Sequence, residues 1–160
     1  MPTRPLSVAH ARPNLAHEDL SLGALSELVG YHIAQAAVTT TAMFKRHIGQ
    51  PHDLRKVECS VLLLVLANGP LSPKRLARAL ALSAPQLTLL LDRLQARGLL
   101  IRECNLADRR SQNIVLTDAG LRVAKASVAA TASMEAELRE RLSTAERLML
   151  VELLRKVAGR

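Results

Sequence analysis

Aromatic residues are almost absent from this sequence, which has one tyrosine, one phenylalanine and no tryptophan in 160 residues. Proteins that hold single-stranded nucleic acid stack the bases on aromatic side chains, so this scarcity argues against a single-strand binder. Long apolar runs are absent as well. The run at 61–67 is far shorter than the roughly 18 apolar residues that a membrane-spanning helix needs. We therefore expect no transmembrane segment and no membrane partner.

Patterns for a disulfide framework or a metal site are also missing. The two cysteines, Cys59 and Cys104, are 45 positions apart and belong to no CxxC pair. We expect both to be small buried hydrophobic residues, with a redox-sensing thiolate at Cys104, beside Arg102, as the alternative. The five histidines show no spacing typical of metal ligands, so we predict no metal site.

Catalytic signatures and targeting segments are missing too. The sequence contains no Gly-rich phosphate loop, no GxSxG, no SxxK and no carboxylate pair in a plausible site. We expect no catalytic residues, no cofactor and no enzymatic activity. Residues 1–17 lack the apolar stretch of a secretory signal, which predicts a cytoplasmic protein with a flexible N-terminal tail at 1–19.

Positive charge is plentiful and is concentrated in the middle of the chain. The formal net charge is +8, and the segment 69–112 carries eight basic and three acidic residues. The flanks at 1–68 and 113–160 are nearly balanced. A basic segment without aromatic residues suits a duplex, whose phosphates attract Lys and Arg. Double-stranded DNA is therefore the predicted partner.

Hydrophobic periodicity divides the chain into helices. Apolar residues at three- and four-residue spacings predict one long helix over 20–47, which Gly49-Gln50-Pro51 is expected to end. A second helix over 54–67 is apolar on most of its circumference, and we predict that it is the most buried element.

Two short helices follow in the proportions of a helix-turn-helix. Ser72 is predicted to cap the first helix, with Pro73 as its first helical residue. Ser83 is predicted to cap the second helix, which has an inner face of leucines at i, i+3, i+4 and i+7 and a polar, basic outer face. Gly98 is well placed to end this helix in a left-handed conformation.

A hairpin with a basic tip is predicted next. The runs 99–104 and 112–116 are compatible with β-strands around a tip at 105–111, and a hairpin directly after a helix-turn-helix is a wing. Thr117 is predicted to cap a helix that runs to about Arg141, and Ser143 opens a capping box before a last amphipathic helix.

These elements predict a mainly α fold with a small β-hairpin wing, that is, an α+β winged helix with six helices. Both terminal segments have more apolar surface than the central unit can cover, which favours a homodimer held by the N- and C-terminal helices. The predicted domains after the tail are an N-terminal dimerisation helix and connection at 20–53, a DNA-binding lobe at 54–117 and C-terminal dimerisation helices at 118–160.

Two motifs on these elements resemble motifs of the MarR family of bacterial transcriptional regulators. The family signature D-x-R-(several)-h-x-L-T-x-x-G, where h is apolar, is similar to the wing sequence from Asp108 to Gly120. The ending of the family's recognition helix is similar to residues 91–94 and 97–100, which read LDRL and RGLL. The resemblance covers about 20–157 and implies a homodimer whose two winged lobes bind a palindromic duplex.

The resemblance also implies roles for individual residues. Ser83, Gln86 and Thr88 would face the major groove, and Arg110 at the wing tip, braced by Asp108, would reach into the minor groove. A guanidinium is favoured in the negative potential of a narrow minor groove. Other basic residues of the lobe are candidate DNA contacts, although an exposed protein surface explains them as well: Lys74, Arg75, Arg78, Arg93 and Arg109.

The sequence departs from the family pattern on the recognition helix. Ala84-Pro85 and Leu89 occupy positions where many relatives have polar or basic residues. We therefore expect this helix to make fewer direct contacts to base edges than is usual in the family. The first helix lines an effector cleft in relatives. This implies Tyr31 and His32 as polar anchors in a pocket for a small organic effector such as an aromatic acid, with packing or solvent exposure as their alternative role.

A sequence-specific, ligand-responsive repressor is the function that these observations favour. Two alternatives remain open. One is an architectural protein that binds DNA without sequence preference or effector, and the other is an interaction module whose basic face meets an acidic protein. The ratio of specific to nonspecific DNA affinity separates the first alternative from a regulator.

Overall fold

The computed structural model describes residues 20–104 and 112–159. Within them the fold has six helices of two turns or more and one two-stranded sheet. The helices are α1 (Val29–Phe44), α2 (Lys56–Asn68), α3 (Pro73–Leu80), α4 (Ala84–Ala96), α5 (Asp118–Arg139) and α6 (Thr144–Val157), and the strands are β1 (Leu100–Cys104) and β2 (Gln112–Leu116). The predicted fold class, mainly α with a β-hairpin wing, is confirmed.

The chain divides into two compact units, with the boundary between Ala36 and Ala37. The described part of the first unit has a 3-10 turn (Gly23–Glu27) before α1. Gly23 has φ +50° and Leu28 is extended at φ −87°, ψ 106°, so the predicted helix over 20–47 is wrong at its N-terminal end. A glycine adopts the left-handed region without steric cost, and α1 begins only after Leu28. The predicted domain boundaries stay a prediction.

The helical path also ends later than the predicted stop at Gly49-Gln50-Pro51. It passes through a π-helical turn (Lys45–Gly49) and a short turn (Gln50–His52), and it ends at Asp53, which has φ +49°. Pro51 is tolerated because it lies in the first turn of its helical segment, where its missing N–H is not needed.

Gly49 serves close packing rather than termination. A Cβ atom at this position would lie 3.2 Å from the carbonyl oxygen of Leu54 and 3.2 Å from the ring of Phe44. The residue is buried and has helical backbone angles. The sequence pattern therefore gave the wrong reason for this glycine.

Helix α2 is the centre of the second unit, as predicted. Five of its residues are buried, and they are Glu58, Cys59, Val61, Leu62 and Val65. It packs mainly against α5 and also contacts α3 and the wing. The core continues through the inner face of α4, where Leu87, Leu90, Leu91 and Leu94 are all buried.

The helix-turn-helix has the predicted caps. Ser72 Oγ accepts a hydrogen bond from the backbone N–H of Arg75 at the start of α3, and Ser83 caps α4. The turn between the two helices includes Ala81 at φ +53°. Gly98 has φ +65°, which confirms its predicted left-handed conformation after α4.

The wing strands are antiparallel, and their register runs from Leu100 opposite Leu116 to Cys104 opposite Gln112. Leu71 forms an additional bridge with Ile114 and so ties the connection between α2 and α3 to β2.

Helix α6 begins with the predicted capping box, in which Ser143 Oγ accepts a hydrogen bond from the backbone N–H of Glu146 at 3.3 Å. None of its residues is buried by the described part of the chain. Its exposed large apolar residues are Leu148, Met149, Leu150, Val151, Leu153, Leu154 and Val157. An apolar helix without cover is typical of a helix that packs on another chain.

Candidate nucleic-acid interface

The first turn of α4 is fixed by a capping box between Ser83 and Gln86. Gln86 Oε1 accepts hydrogen bonds from the backbone N–H of Ser83 at 3.0 Å and from Ser83 Oγ at 2.9 Å. Ser83 Oγ in turn accepts from the backbone N–H of Gln86 at 3.5 Å. Both residues are exposed. The Gln86 carbonyl is occupied by the cap, so its amide NH₂ group remains as a donor for an external partner.

The second turn of α4 presents Thr88 and Leu89. Thr88 Oγ1 donates to the carbonyl oxygen of Ala84 at 3.0 Å, so its proton is used within the helix. Leu89 is 62% exposed, and Ala84 and Pro85 are exposed as well. The groups that the first two turns of α4 offer outward are therefore largely apolar, although most of its outer face was predicted to be polar and basic.

A buried carboxylate, Glu58, holds the C-terminal half of α4. Its side chain is 5% exposed, and its oxygens lie 4.0 Å from Arg93 Nε and 3.8 Å from Arg97 Nη1. Arg97 also donates to the backbone carbonyls of Asp53 at 2.6 Å and His52 at 3.3 Å. Arg93 and Arg97 thus fix the end of α4 to the N-terminal end of α2. Charge counting could not reveal this role, because it gives no sign that Glu58 is buried.

Arg102 fastens the wing to α4. Its Nη2 donates to Asp92 Oδ1 at 2.5 Å and its Nη1 donates to Gln95 Oε1 at 2.8 Å. In the sequence, Arg102 stands out only as a neighbour of Cys104, because a ten-residue spacing between an acid and an arginine gives no local signal. The predicted wing-tip contacts Asp108, Arg109 and Arg110 lie outside the described residues.

Helix α3 carries three exposed basic residues beside the turn to α4, namely Lys74, Arg75 and Arg78. Residues three and four positions apart lie on one side of a helix, so these side chains share a face opposite the buried Leu76. None of the three takes part in an ion pair within 20–104 and 112–159. Their charges are therefore available to an external anion.

A cavity of about 320 Å³ lies among the end of α1, the π-helical turn, α2 and α5. Its apolar lining comprises Met43, Phe44, Ile48, Cys59, Leu63, Met134 and Leu138, and its polar lining comprises Thr40, Lys56, Ser60, Thr131 and Glu135. Lys56 Nζ donates to Thr41 Oγ1 at 2.7 Å, and Glu135 Oε2 lies 3.9 Å from Arg147 Nη1. An apolar space with one ammonium group at its wall suits a small organic molecule that carries a negative charge.

Comparison with known proteins identifies the family to which this chain belongs. The MarR family profile matches residues 52–111. The transcriptional regulator HosA of Escherichia coli O157:H7 is 30% identical over 105 residues, which cover 66% of this chain and 78% of HosA. The chain belongs to the MarR family. The resemblance predicted from the wing and recognition-helix motifs is thus confirmed, and the family consists of transcription regulators.

Solved structures similar to this MarR-family chain include those of CouR and BpsR. The transcriptional repressor CouR, bound to a 23-mer DNA duplex, is 33% identical with a TM-score of 0.81, and the match covers 88% of this chain and 99% of CouR. BpsR of Bordetella bronchiseptica, whose DNA binding is regulated by 6-hydroxynicotinic acid, is 29% identical with a TM-score of 0.74. That match covers 84% of this chain and 96% of BpsR.

The predicted effector anchors of this MarR-family chain, Tyr31 and His32, lie in the first unit, with ring centroids 5.5 Å apart. His32 Nε2 lies 2.8 Å from the carbonyl oxygen of Ser26. The cavity described above is lined entirely by residues of the second unit. A role of Tyr31 and His32 in effector binding stays a prediction.

The two cysteines differ from each other. Cys59 is buried at the cavity wall, as predicted, and burial raises the pKa of its thiol above the ordinary value, while the Ser127 hydroxyl opposes that rise. Cys104 is exposed at the end of β1, so the prediction that it is buried is wrong. A residue at the end of a two-stranded wing has no second layer to cover it.

No group of three or more His, Cys, Asp or Glu residues in the part of the chain that the structure describes could hold a metal ion. None of the helices described is long and apolar enough to cross a membrane.

Proposed function

We propose that this protein is a homodimeric repressor that binds a pseudo-palindromic DNA site with sequence specificity and responds to a small organic ligand. One observation carries the proposal. CouR bound to a DNA duplex matches this chain over 88% of its length at 33% identity. The concentration of basic residues in 69–112 supports the same function, because phosphate contacts supply much of the affinity of DNA-binding proteins.

The proposed DNA interface combines α4, α3 and the wing. We assign Ser83, Gln86 and Thr88 to the major groove. The phosphate contacts are assigned to Lys74, Arg75 and Arg78, whose charges have no partner among the described residues. At the wing tip, Arg110 is assigned to the minor groove, Asp108 to its orientation and Arg109 to the backbone.

Arg93 was also predicted to contact DNA, and 38% of its side chain is exposed. Its Nε atom is buried without a hydrogen-bond partner and lies 4.0 Å from Glu58 Oε1. We therefore propose that Arg93 mainly orients α4 and contributes to DNA binding through its charge.

The proposed dimer is formed by the terminal helices of two copies. Helix α6 has no buried residue, and the first unit exposes Leu25, Leu28, Val29 and Ile33. A second copy with the same exposed surfaces can cover them in a two-fold arrangement. The two α4 helices must then stand roughly 34 to 36 Å apart to enter successive major grooves.

The proposed effector site is the cavity of about 320 Å³. We propose a small organic acid, such as an aromatic acid, whose apolar body lies on Met43, Phe44 and Leu63 and whose carboxylate meets Lys56. Regulation of BpsR by 6-hydroxynicotinic acid supports this ligand class. Such a ligand can weaken DNA binding only by preferring the dimer conformation that does not fit DNA.

Location and catalysis follow from the same proposal. We place the protein in the cytoplasm, where a bacterial regulator meets its DNA, and we assign it no catalytic activity and no cofactor.

A competition experiment tests the function. A labelled duplex from the region upstream of the gene is bound by the full chain, and fluorescence anisotropy follows its displacement by unlabelled upstream or scrambled duplex at physiological salt. We expect a preference of roughly 10³-fold or more for the upstream duplex. Equal displacement by both duplexes would instead indicate an architectural DNA-binding protein.

A further inference from the structure

Leu89 is an exposed leucine on a helix whose other leucines are all buried. It is 62% exposed, whereas Leu87, Leu90, Leu91 and Leu94 are between 0% and 4% exposed. The core therefore accounts for the other four and leaves Leu89 without a packing role within the described residues. Its neighbours one turn away, Pro85 and Arg93, lie on the same side of α4.

Apart from the Gln86 amide NH₂ group, the polar groups around Leu89 are already engaged by the helix itself. The Gln86 carbonyl and the Ser83 hydroxyl bond each other in the capping box, and the Thr88 hydroxyl proton is donated to the carbonyl oxygen of Ala84. These residues offer few free hydrogen-bonding groups for reading base edges. Besides Gln86, the exposed residues of the first two turns are Ala84, Pro85, Thr88 and Leu89, whose side chains offer methyl and methylene groups.

Thymine is the base that offers an apolar group to such a surface. In the major groove its 5-methyl group projects from the base edge, while cytosine offers an amino donor and the purines offer N7 acceptors. A leucine side chain makes no hydrogen bond and gains free energy only by removing apolar surface from water. It therefore favours a thymine over the three other bases at the position it contacts.

We propose that Leu89 is a specificity-determining residue, which packs against the 5-methyl group of a thymine in the major groove of each operator half-site. This inference rests on the proposed function and adds to it the base that this position of α4 selects. It also predicts that the side chain contributes to sequence discrimination rather than to general affinity for duplex DNA.

Replacing thymine by deoxyuridine tests the contact, because this change removes the methyl group and leaves base pairing intact. A duplex that the full chain prefers is first obtained by selection from a random library. Each thymine of one half-site is then replaced singly, and dissociation constants are measured by anisotropy for the natural chain and for Leu89→Ala. For the natural chain, we expect about a fourfold loss of affinity at one thymine, which corresponds to the free energy of burying one methyl group.

The loss should disappear in Leu89→Ala, which should bind the thymine and deoxyuridine duplexes equally. Leu89→Met, which keeps an apolar side chain, should retain part of the discrimination. Val57→Ala, which shortens an exposed apolar residue of α2, is the matched control and should show the full deoxyuridine effect.

Three outcomes are distinguishable. If selection yields no preferred duplex, the proposed function itself fails. If a preferred duplex exists but no single deoxyuridine weakens binding by the natural chain, the assignment of Leu89 to a thymine is overturned while the function stands. If a deoxyuridine effect persists unchanged in Leu89→Ala, another residue reads the methyl group, and the inference is again overturned.

Discussion

The carbonyl oxygen of Leu99 lies so close to Gly120 that a Cβ atom on Gly120 would be 1.8 Å from it. The same carbonyl accepts a hydrogen bond from the backbone N–H of Thr117 at 3.2 Å, and Thr117 Oγ1 donates to the carbonyl oxygen of Gly98 at 2.6 Å. The chain segment after α4 is therefore fixed to the start of α5. This contact joins the end of the helix-turn-helix and the start of the wing to the long helix α5.

Gly120→Ala should destabilise the protein, because the added methyl group meets backbone atoms that cannot rotate away. We expect a loss of about 2 to 3 kcal/mol in the free energy of unfolding, as for other overpacked sites. Urea denaturation at one fixed protein concentration measures it, since the stability of a dimer depends on concentration.

Gly30→Ala is the control for this substitution. Gly30 also lies in a helix, but a Cβ atom there has no neighbour within 4 Å. Alanine has a higher helix propensity than glycine. We therefore expect the free energy of unfolding to stay unchanged or to rise by up to about 1 kcal/mol. Equal effects of the two substitutions would show that the contact with Leu99 does not limit position 120.

The pairing of Arg102 with Asp92 and Gln95 should matter more for DNA affinity than for stability. An exposed ion pair contributes only about 0 to 1 kcal/mol to folding, whereas loss of this one frees the wing from α4. We expect Arg102→Ala to weaken operator binding about tenfold, as measured by anisotropy, with a small change in urea midpoint. This tenfold loss corresponds to about 1.4 kcal/mol.

Asp92→Asn and the double variant check that the two residues act as a pair. If they do, the double variant should lose no more affinity than Arg102→Ala alone. Additive losses would contradict the pairing, and they would indicate that each residue contacts DNA separately.

Acid should remove the stabilisation that Glu137 provides. A hydrogen bond with His47 at 2.5 Å and the nearby Arg46 hold the pKa of Glu137 below its ordinary value. An unfolded glutamate has a pKa of about 4.3, so this stabilisation is complete above that pH and is lost as the pH falls through the lower folded value.

Urea denaturation of Glu137→Gln at several pH values tests this. The variant should be less stable than the natural chain near pH 7, and the difference should shrink as the pH falls through the lowered pKa of Glu137 and vanish below it. Glu140→Gln is the control, because the Glu140 side chain lies on the same stretch of chain and makes no ion pair within the described residues. A difference that stays constant with pH would contradict the assigned role of the carboxylate charge.

Dimer formation should fail when a charge is placed on the apolar face of α6. Leu154→Glu puts a carboxylate where a second copy is proposed to pack, and burying it unpaired costs several kcal/mol. We expect sedimentation analysis to show a monomer and operator binding to fall sharply. Arg155→Glu adds a carboxylate to the same helix at a basic position and should remain dimeric. A dimeric Leu154→Glu variant would exclude α6 from the interface.

Local signals predicted most of the fold. The caps at Ser72, Ser83, Thr117 and Ser143 are all confirmed, because a cap depends on side-chain chemistry within three residues of a helix start. The left-handed Gly98 is confirmed for a similar reason. These features need no knowledge of distant parts of the chain.

Packing explains the error at Gly49. This glycine lets Leu54 and Phe44 approach closely, which the sequence pattern does not reveal, and the helical path continues through it. In the candidate site, the sequence predicts DNA contacts on α4 and on the basic face of α3, which stay predictions, and it gives no sign of the roles of Glu58 and Arg102. Both depend on partners brought together by folding, as Arg93 and Arg97 are around Glu58.

Hydroxyl-radical footprinting of the full chain on its upstream DNA tests the central claim most directly, because it reports both specificity and the geometry of the dimer. We predict protection of two half-sites whose centres lie about one helical turn apart, roughly 10 to 10.5 base pairs. Protection spread evenly over the fragment, or confined to a single half-site, would contradict a dimeric, sequence-specific regulator.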